Sequence, residues 1–203
     1  MPTVKYSEVR DKIDVGDIIL FSGTGRVSRL IKLFTMSKWS HVGTAIWYTD
    51  DMLAIFESTT LSKVKDLESG RREQGVQTIN LSTRIQNYEG KIAWYPILGE
   101  RTPEMLEAAA GFREDMRGKP YEKSKVEFVL SSLDRPLGIG NLPENLETIF
   151  CSELSAAMLR TMGLLWEVGP NNKFTPEDLS PDRDGTMVLK PGYEWGDLHY
   201  LEI

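Results

Sequence analysis

Ser40-His41-Val42-Gly43-Thr44-Ala45-Ile46-Trp47-Tyr48 and Met52-Leu53-Ala54-Ile55-Phe56-Glu57-Ser58, with Asp50-Asp51 between them, decide how this chain folds. Each run has strand length and is rich in β-branched and aromatic residues, and the two aspartates supply a hairpin-like turn. Upstream, Gly16-Asp17 is a turn signal, so Ile13 to Phe21 reads as a turn entering a buried strand. Ser22-Gly23-Thr24-Gly25 is a loop, and Arg26 to Met36 has helical spacing through Val27, Leu30, Ile31 and Phe34. Downstream, Val76 to Leu81 and Lys91 to Pro96 are further short strands, separated by polar segments.

From Thr102 the character changes. Thr102 as N-cap with Pro103 in the first turn opens a helix through Arg117. Ser124 to Leu133 reads as another helix, and Asp134 to Asn145 as a loop rich in Pro, Gly and Asn. Ile149 to Met162 is an amphipathic helix stopped by Gly163. Thr175-Pro176-Glu177-Asp178 is a helix-start signal, and Leu198-His199-Tyr200 a terminal strand. Strands in the first half and helices in the second predict an α+β fold with an antiparallel sheet.

With 203 residues, 40% hydrophobic and 27% charged, the chain suits a single domain over residues 1–203. A formal charge of -6 without a basic stripe argues against nucleic-acid binding. The mixed charges of Lys63 to Glu73 read as a solvated loop. Met1 to Lys12 is polar and has no signal-peptide core, and no run reaches the ~20 apolar residues of a membrane span. A cytoplasmic location is therefore the expectation, and no amphipathic basic helix suggests docking on an anionic membrane. One cysteine excludes an internal disulfide and a multi-cysteine zinc site; no metal or organic cofactor is expected.

With one cysteine and two histidines, few nucleophilic sites can be built. Cys151, in Phe150-Cys151-Ser152-Glu153-Leu154, lies where a loop meets a helix. A thiol in a helix's first turn faces orphan N–H groups and the positive dipole end, which favours the thiolate and offers the Cys151 N–H to an oxyanion. The competing reading is a buried structural cysteine. His41 opens an apolar strand, and Gly43 leaves room beside its ring for a substrate. Glu57 lies in the neighbouring strand, where a hairpin could set it beside His41 as the group orienting the imidazole; from spacing alone a solvent-facing glutamate is the preferred reading. Phe34, Met36 and Trp39 offer an apolar wall just ahead of His41, while the five tryptophans read mainly as core or rim residues. His199 reads as part of the terminal strand rather than as a second base.

Three segments together resemble a family: Gly16-Asp17-Ile18-Ile19-Leu20-Phe21, Ser40-His41-Val42-Gly43 and Phe150-Cys151-Ser152-Glu153-Leu154. Their order is similar to the circularly permuted branch of the NlpC-type, papain-like cysteine peptidases, the YiiX-like proteins in particular, where the histidine precedes the cysteine. Gly118-Lys119-Pro120-Tyr121 and Phe174-Thr175-Pro176-Glu177-Asp178-Leu179 are weaker echoes. The resemblance implies a papain-like fold, with an antiparallel sheet packed on a helix carrying Cys151 at its N-terminus. It also implies Cys151 as nucleophile, His41 as base, Glu57 as third residue and a structural Asp17 at the mouth of the site. Glu68 to Gly75 and Asp134 to Asn145 match nothing in it and read as loops shaping the substrate cleft. The activity implied is hydrolysis of an amide in a peptide or peptidoglycan stem peptide. Two alternatives remain: a lipid ester or amide hydrolase or acyltransferase, of the lecithin retinol acyltransferase type, and a non-catalytic binding module.

Overall fold

A computed structural model of the chain describes residues 2–59, 63–117, 147–166, 174–182 and 187–203; the side chains of Val27, Leu30, Phe34, Thr35 and residues 147–150 lie outside the description. In chain order the elements are β1 Thr3–Lys5, α1 Tyr6–Val9, β2 Ile18–Gly23, α2 Arg26–Thr35, β3 His41–Thr49, β4 Met52–Thr59 and β5 Gly75–Asn80. There follow α3 Leu81–Gln86, β6 Gly90–Tyr95, β7 Ile97–Leu98, α4 Pro103–Met116, α5 Glu147–Thr161, β8 Glu194–Trp195 and β9 His199–Glu202. Among the described residues, seven strands form one sheet in the order β1-β9-β6-β2-β3-β4-β5, and β7 pairs with β8 apart from it. The pairs are antiparallel except β1 with β9, which run parallel. The fold is α+β, as the order of signals predicted.

The twofold period of the strands divides the core. Ile18, Leu20, Val42, Ile46, Ala54 and Phe56 share one cluster with Leu154, Met158 and Leu159 of α5. Ile19, Phe21, Ala45, Leu53, Ile55 and Ile79 point the other way, onto Tyr6, Val9, Leu81 and Ile85. Both faces of the central strands are covered, which is why Ile18 to Phe21 is continuously apolar rather than alternating. Helix α5 lies across β3 and β4, and α4 packs on α5. The turn into β2 needs Gly16 for its backbone at φ 94°, and an added Cβ would meet Leu164 at 3.0 Å.

Several expectations change. Leu81 is not the end of a strand: Asn80 caps a helix there, its side chain accepting from the Thr83 N–H at 2.9 Å. The mixed-charge loop is anchored, because buried Asp66 accepts from the N–H groups of Glu68, Ser69 and Thr78. Glu68 in turn pairs with Arg113 of α4 at 2.8 Å and with Arg117 at 2.6 Å. Helix α2 does expose a basic and apolar strip: Arg26, Arg29, Leu33 (72% exposed) and Met36 (86% exposed). Leu33 lies seven residues after Arg26 and four after Arg29, so the exposed leucine and the two arginines share one side of the helix. The expected helix Ser124 to Leu133, the loop Asp134 to Asn145 and the Gly118-Lys119-Pro120-Tyr121 echo lie outside the described residues. Among the described residues no helix is long and apolar enough to cross a membrane.

Candidate active site

β3 begins at His41, which stands opposite Phe21 of β2. On the other side Thr44 faces Phe56 of β4, so one step further Gly43 lies opposite Glu57. Residues two apart share a face, and His41 therefore meets Glu57 on the diagonal. His41 Nε2 lies 2.7 Å from Glu57 Oε2. Gly43 makes this approach possible in a way the sequence did not indicate. An added Cβ would sit 2.6 Å from Ile55 Cδ1 and 3.1 Å from Glu57 Cβ, so the vacant space holds these two side chains and not a substrate.

Cys151 reaches the same ring from the other layer. It belongs to the core cluster under α5, while His41 and Glu57 lie on the opposite face of a central strand. The two can touch because His41 is the first residue of β3, at the end of the sheet where the layers meet. A hydrogen bond joins the ring to Cys151, and with Nε2 occupied by Glu57 the nitrogen turned to sulfur is Nδ1. The segment after α5 ties the two halves together: Ser152 of α5 donates to the Phe174 carbonyl, and Ser37, ahead of β3, donates to Glu177. The second echo of the family pattern is thus a brace between the histidine strand and the cysteine helix.

The helix geometry corrects one expectation. α5 opens at Glu147, so Cys151 lies in its second turn, not its first. An N–H four residues into a helix is bonded to the carbonyl one turn back, here that of Glu147. The Cys151 N–H is therefore not the oxyanion donor, and the dipole of the helix end has largely fallen away at this depth.

Arg84, in α3, is the partner that sequence reasoning missed. Its Nε donates to Glu57 Oε1 at 2.9 Å and to Oε2 at 3.3 Å. The guanidinium lies 4.8 Å from the Phe21 ring and 5.2 Å from that of Tyr88. Its sequence setting, Leu81-Ser82-Thr83-Arg84-Ile85, is a mixed polar and apolar segment that does not single the arginine out.

The electrostatics follow. Burial of Glu57, wholly shielded from solvent, opposes its charge, but Arg84 and then His41 outweigh this and hold its carboxyl at about 2. Burial likewise opposes a charge on His41; the negative charges of Cys151 and Glu57, and hydrogen bonds to both, raise it to about 10. Over the neutral range the ring is an imidazolium held against the ionised Glu57 carboxylate.

Other candidates fall elsewhere. Trp39 is no cleft wall: it is fully buried, and its Nε1 donates to Asp182 at 3.1 Å. Met36 is exposed, and the Phe34 side chain lies outside the description. Asp17 is structural as expected but stands at the far end of β2 from His41, not at the mouth of the site. His199 lies in β9, stacked on Trp94. Among the described residues no three His, Cys, Asp or Glu side chains gather as a metal site would require.

No family model matches the chain, and no curated protein matches it. Among solved structures it is similar to the metalloprotein YiiX from Escherichia coli O157:H7, at 20% identity and a TM-score of 0.47. That alignment covers 91% of this chain and 96% of the other.

Proposed function

We propose that the chain is a cysteine hydrolase of the circularly permuted NlpC-type, papain-like kind, with Cys151 as nucleophile, His41 as acid and base and Glu57 as the group orienting His41. The observation that carries this reading is the continuous buried run from Cys151 through the His41 ring to Glu57, with 2.7 Å between ring nitrogen and carboxylate. A purely structural cysteine needs no imidazole, and a purely structural histidine needs no buried carboxylate held by an arginine. The thiolate attacks a carbonyl carbon, and the carbonyl electrons move onto oxygen. As the tetrahedral adduct collapses, His41 passes its Nδ1 proton to the leaving amine and the acyl group stays as a thioester. Neutral His41 then takes a proton from water, whose oxygen attacks the thioester; collapse returns the thiolate and the imidazolium. Glu57 remains ionised throughout and fixes which ring nitrogen faces sulfur.

An amide in a peptide or peptidoglycan stem peptide is the first choice of substrate, by resemblance. A lipid ester or amide is the second reading, and one observation favours it. Exposed Leu33 and Met36 stand beside Arg26 and Arg29 on α2, a few residues ahead of His41, as in a surface that rests on anionic lipid. The test is a thiol-directed activity probe on wild type, Cys151→Ala and His41→Ala, with turnover of peptides, muropeptides and long-chain acyl esters. Hydrolysis of amides, lost in both variants, supports the first reading, and turnover of acyl esters alone supports the second. Wild type that resists the probe and turns over nothing leaves a binding module.

A further inference from the structure

Glu57 is a carboxylate with no access to solvent, and its recorded side-chain partners are His41 and Arg84. His41 occupies one oxygen, Oε2, whereas the Nε–H of Arg84 is shared between both. A buried carboxylate without a compensating cation takes up a proton instead of staying charged. Protonated, it would still accept a hydrogen bond from the ring but would lend it no charge stabilisation. The share of the His41 charge that Glu57 supports, beside that of Cys151, therefore depends on the arginine behind the carboxylate.

Arg84 is held in a way that suits this task. Helix α3 starts directly after β5, fixed by Asn80, and β5 pairs with β4 so that Gln77 stands opposite Glu57. The guanidinium is flanked by Phe21 and Tyr88, whose rings meet edge to face at 4.9 Å. Phe21 also touches the His41 ring, at 5.4 Å. Among the described residues, the charged and titratable groups facing this cluster are Arg84 from α3, Tyr88 beyond it and Cys151 from α5. Burial raises the Tyr88 hydroxyl and its hydrogen bond with Ser40 acts against that, so Tyr88 is a neutral phenol over the neutral range. Arg84 alone among these carries a positive charge that pH does not remove.

We propose that Arg84 is a positioning residue of the site, whose guanidinium keeps Glu57 ionised and aimed at His41 and through it keeps the His41 ring charged beside Cys151. This rests on reading Cys151, His41 and Glu57 as the reacting set, but it is tested without a substrate. The chain has two histidines and one cysteine, so His41 is one of two imidazoles in a nitrogen NMR titration and Cys151 is the only thiol for iodoacetamide. The experiment follows both readouts against pH in full-length wild type, Arg84→Met, Arg84→Lys, Glu57→Gln and the Arg84→Met/Glu57→Gln double variant. Circular dichroism checks that each is folded.

Arg84→Met is expected to lower the His41 titration by about one pH unit or more, and alkylation near pH 6 by about tenfold. Glu57→Gln should match it, and the double variant should be no worse than Glu57→Gln alone, since both remove one charge relay. Arg84→Lys should recover part of the loss, because a lysine restores charge but not the flat, ring-stacked fork. A folded Arg84→Met with the wild-type titration and alkylation profile would overturn the proposal, as would a double variant that multiplies the two single losses. If Arg84→Met does not fold, Arg84→Lys decides: a lowered His41 titration supports the proposal and an unchanged one sinks it. Should these shifts appear while no amide or ester is turned over, the hydrolase reading fails and the positioning role stands.

Discussion

Two buried carboxylates sit at opposite ends of the β2–β3 pair, each with its own arginine, and they serve different ends. Asp17 precedes β2 and Phe21, opposite His41, lies four residues later, about 13 Å along a strand. Asp17 accepts from the Ile97 and Asp14 N–H groups, from Trp94 Nε1 at 2.7 Å and from Arg101 Nη2 at 3.2 Å. Arg101 in turn donates to the carbonyls of Val15, Ile97 and Gly99. No partner in that cluster is an imidazole or a thiol. It stitches the Gly16 turn to the β6–β7 corner and goes no further. Glu57 has the same kind of arginine, but its other partner is an imidazole that in turn meets a thiol. A buried ion pair by itself is therefore no sign of chemistry; what marks the Glu57 end is that its chain of contacts terminates on the one thiol of the chain.

The largest expected effect separates the two ends by activity. His41→Ala should lower hydrolysis of any accepted substrate by about 10³-fold to 10⁴-fold, as loss of a general acid–base does. The comparison breaks if Asp17→Asn, measured on folded protein, does the same.

Stability should respond in the opposite sense. Asp17→Ala leaves the Arg101 guanidinium, almost wholly buried, short of its carboxylate, at a cost of about 3–5 kcal/mol in urea unfolding. Alkylation of Cys151 in the remaining folded protein should match wild type. A changed alkylation rate would mean that the two ends communicate along β2.

A smaller effect, in pH dependence, sharpens the contrast. Burial raises Asp17 from 3.8 to about 6 despite its donors, so its contribution to stability is full below 3.8 and is lost as pH rises through about 6. Glu57 is lowered from 4.5 to about 2, so its contribution is full above 4.5 and is lost as pH falls through about 2. His41, raised from 6.5 to about 10, contributes fully below 6.5 and loses this as pH rises through about 10. Between about pH 3.5 and 6, the advantage of wild type over Asp17→Asn should therefore shrink with rising pH. Over the same interval its advantage over Glu57→Gln should grow or hold. Chemical denaturation at several pH values checks this, and two parallel slopes would erase the distinction.

The sequence by itself determined β2 to β6, β9 and the candidates for chemistry, while the short strands β1, β7 and β8 left no legible pattern. Strand boundaries were legible because both faces of β2, β3 and β4 are buried, which forces unbroken apolar runs between turn residues. The short supply of cysteine and histidine narrowed the candidate nucleophile to Cys151 and the candidate base to His41, and the short hairpin allowed Glu57 to come within reach. Helix α3 was not legible, since six residues between two strands give too little periodicity to register, and Arg84 was lost with it. The start of α5 was misplaced because helix ends depend on caps and contacts, and a shift of two residues moved the Cys151 N–H from orphan to bonded. Only the tertiary structure decided that Gly43 makes room for Ile55 and Glu57, that Trp39 is buried, and that the Phe174 to Leu179 segment braces the cysteine helix against the histidine strand. Those are relations between residues far apart in the chain: periodicity reports which face of an element is buried, and never what is buried against it.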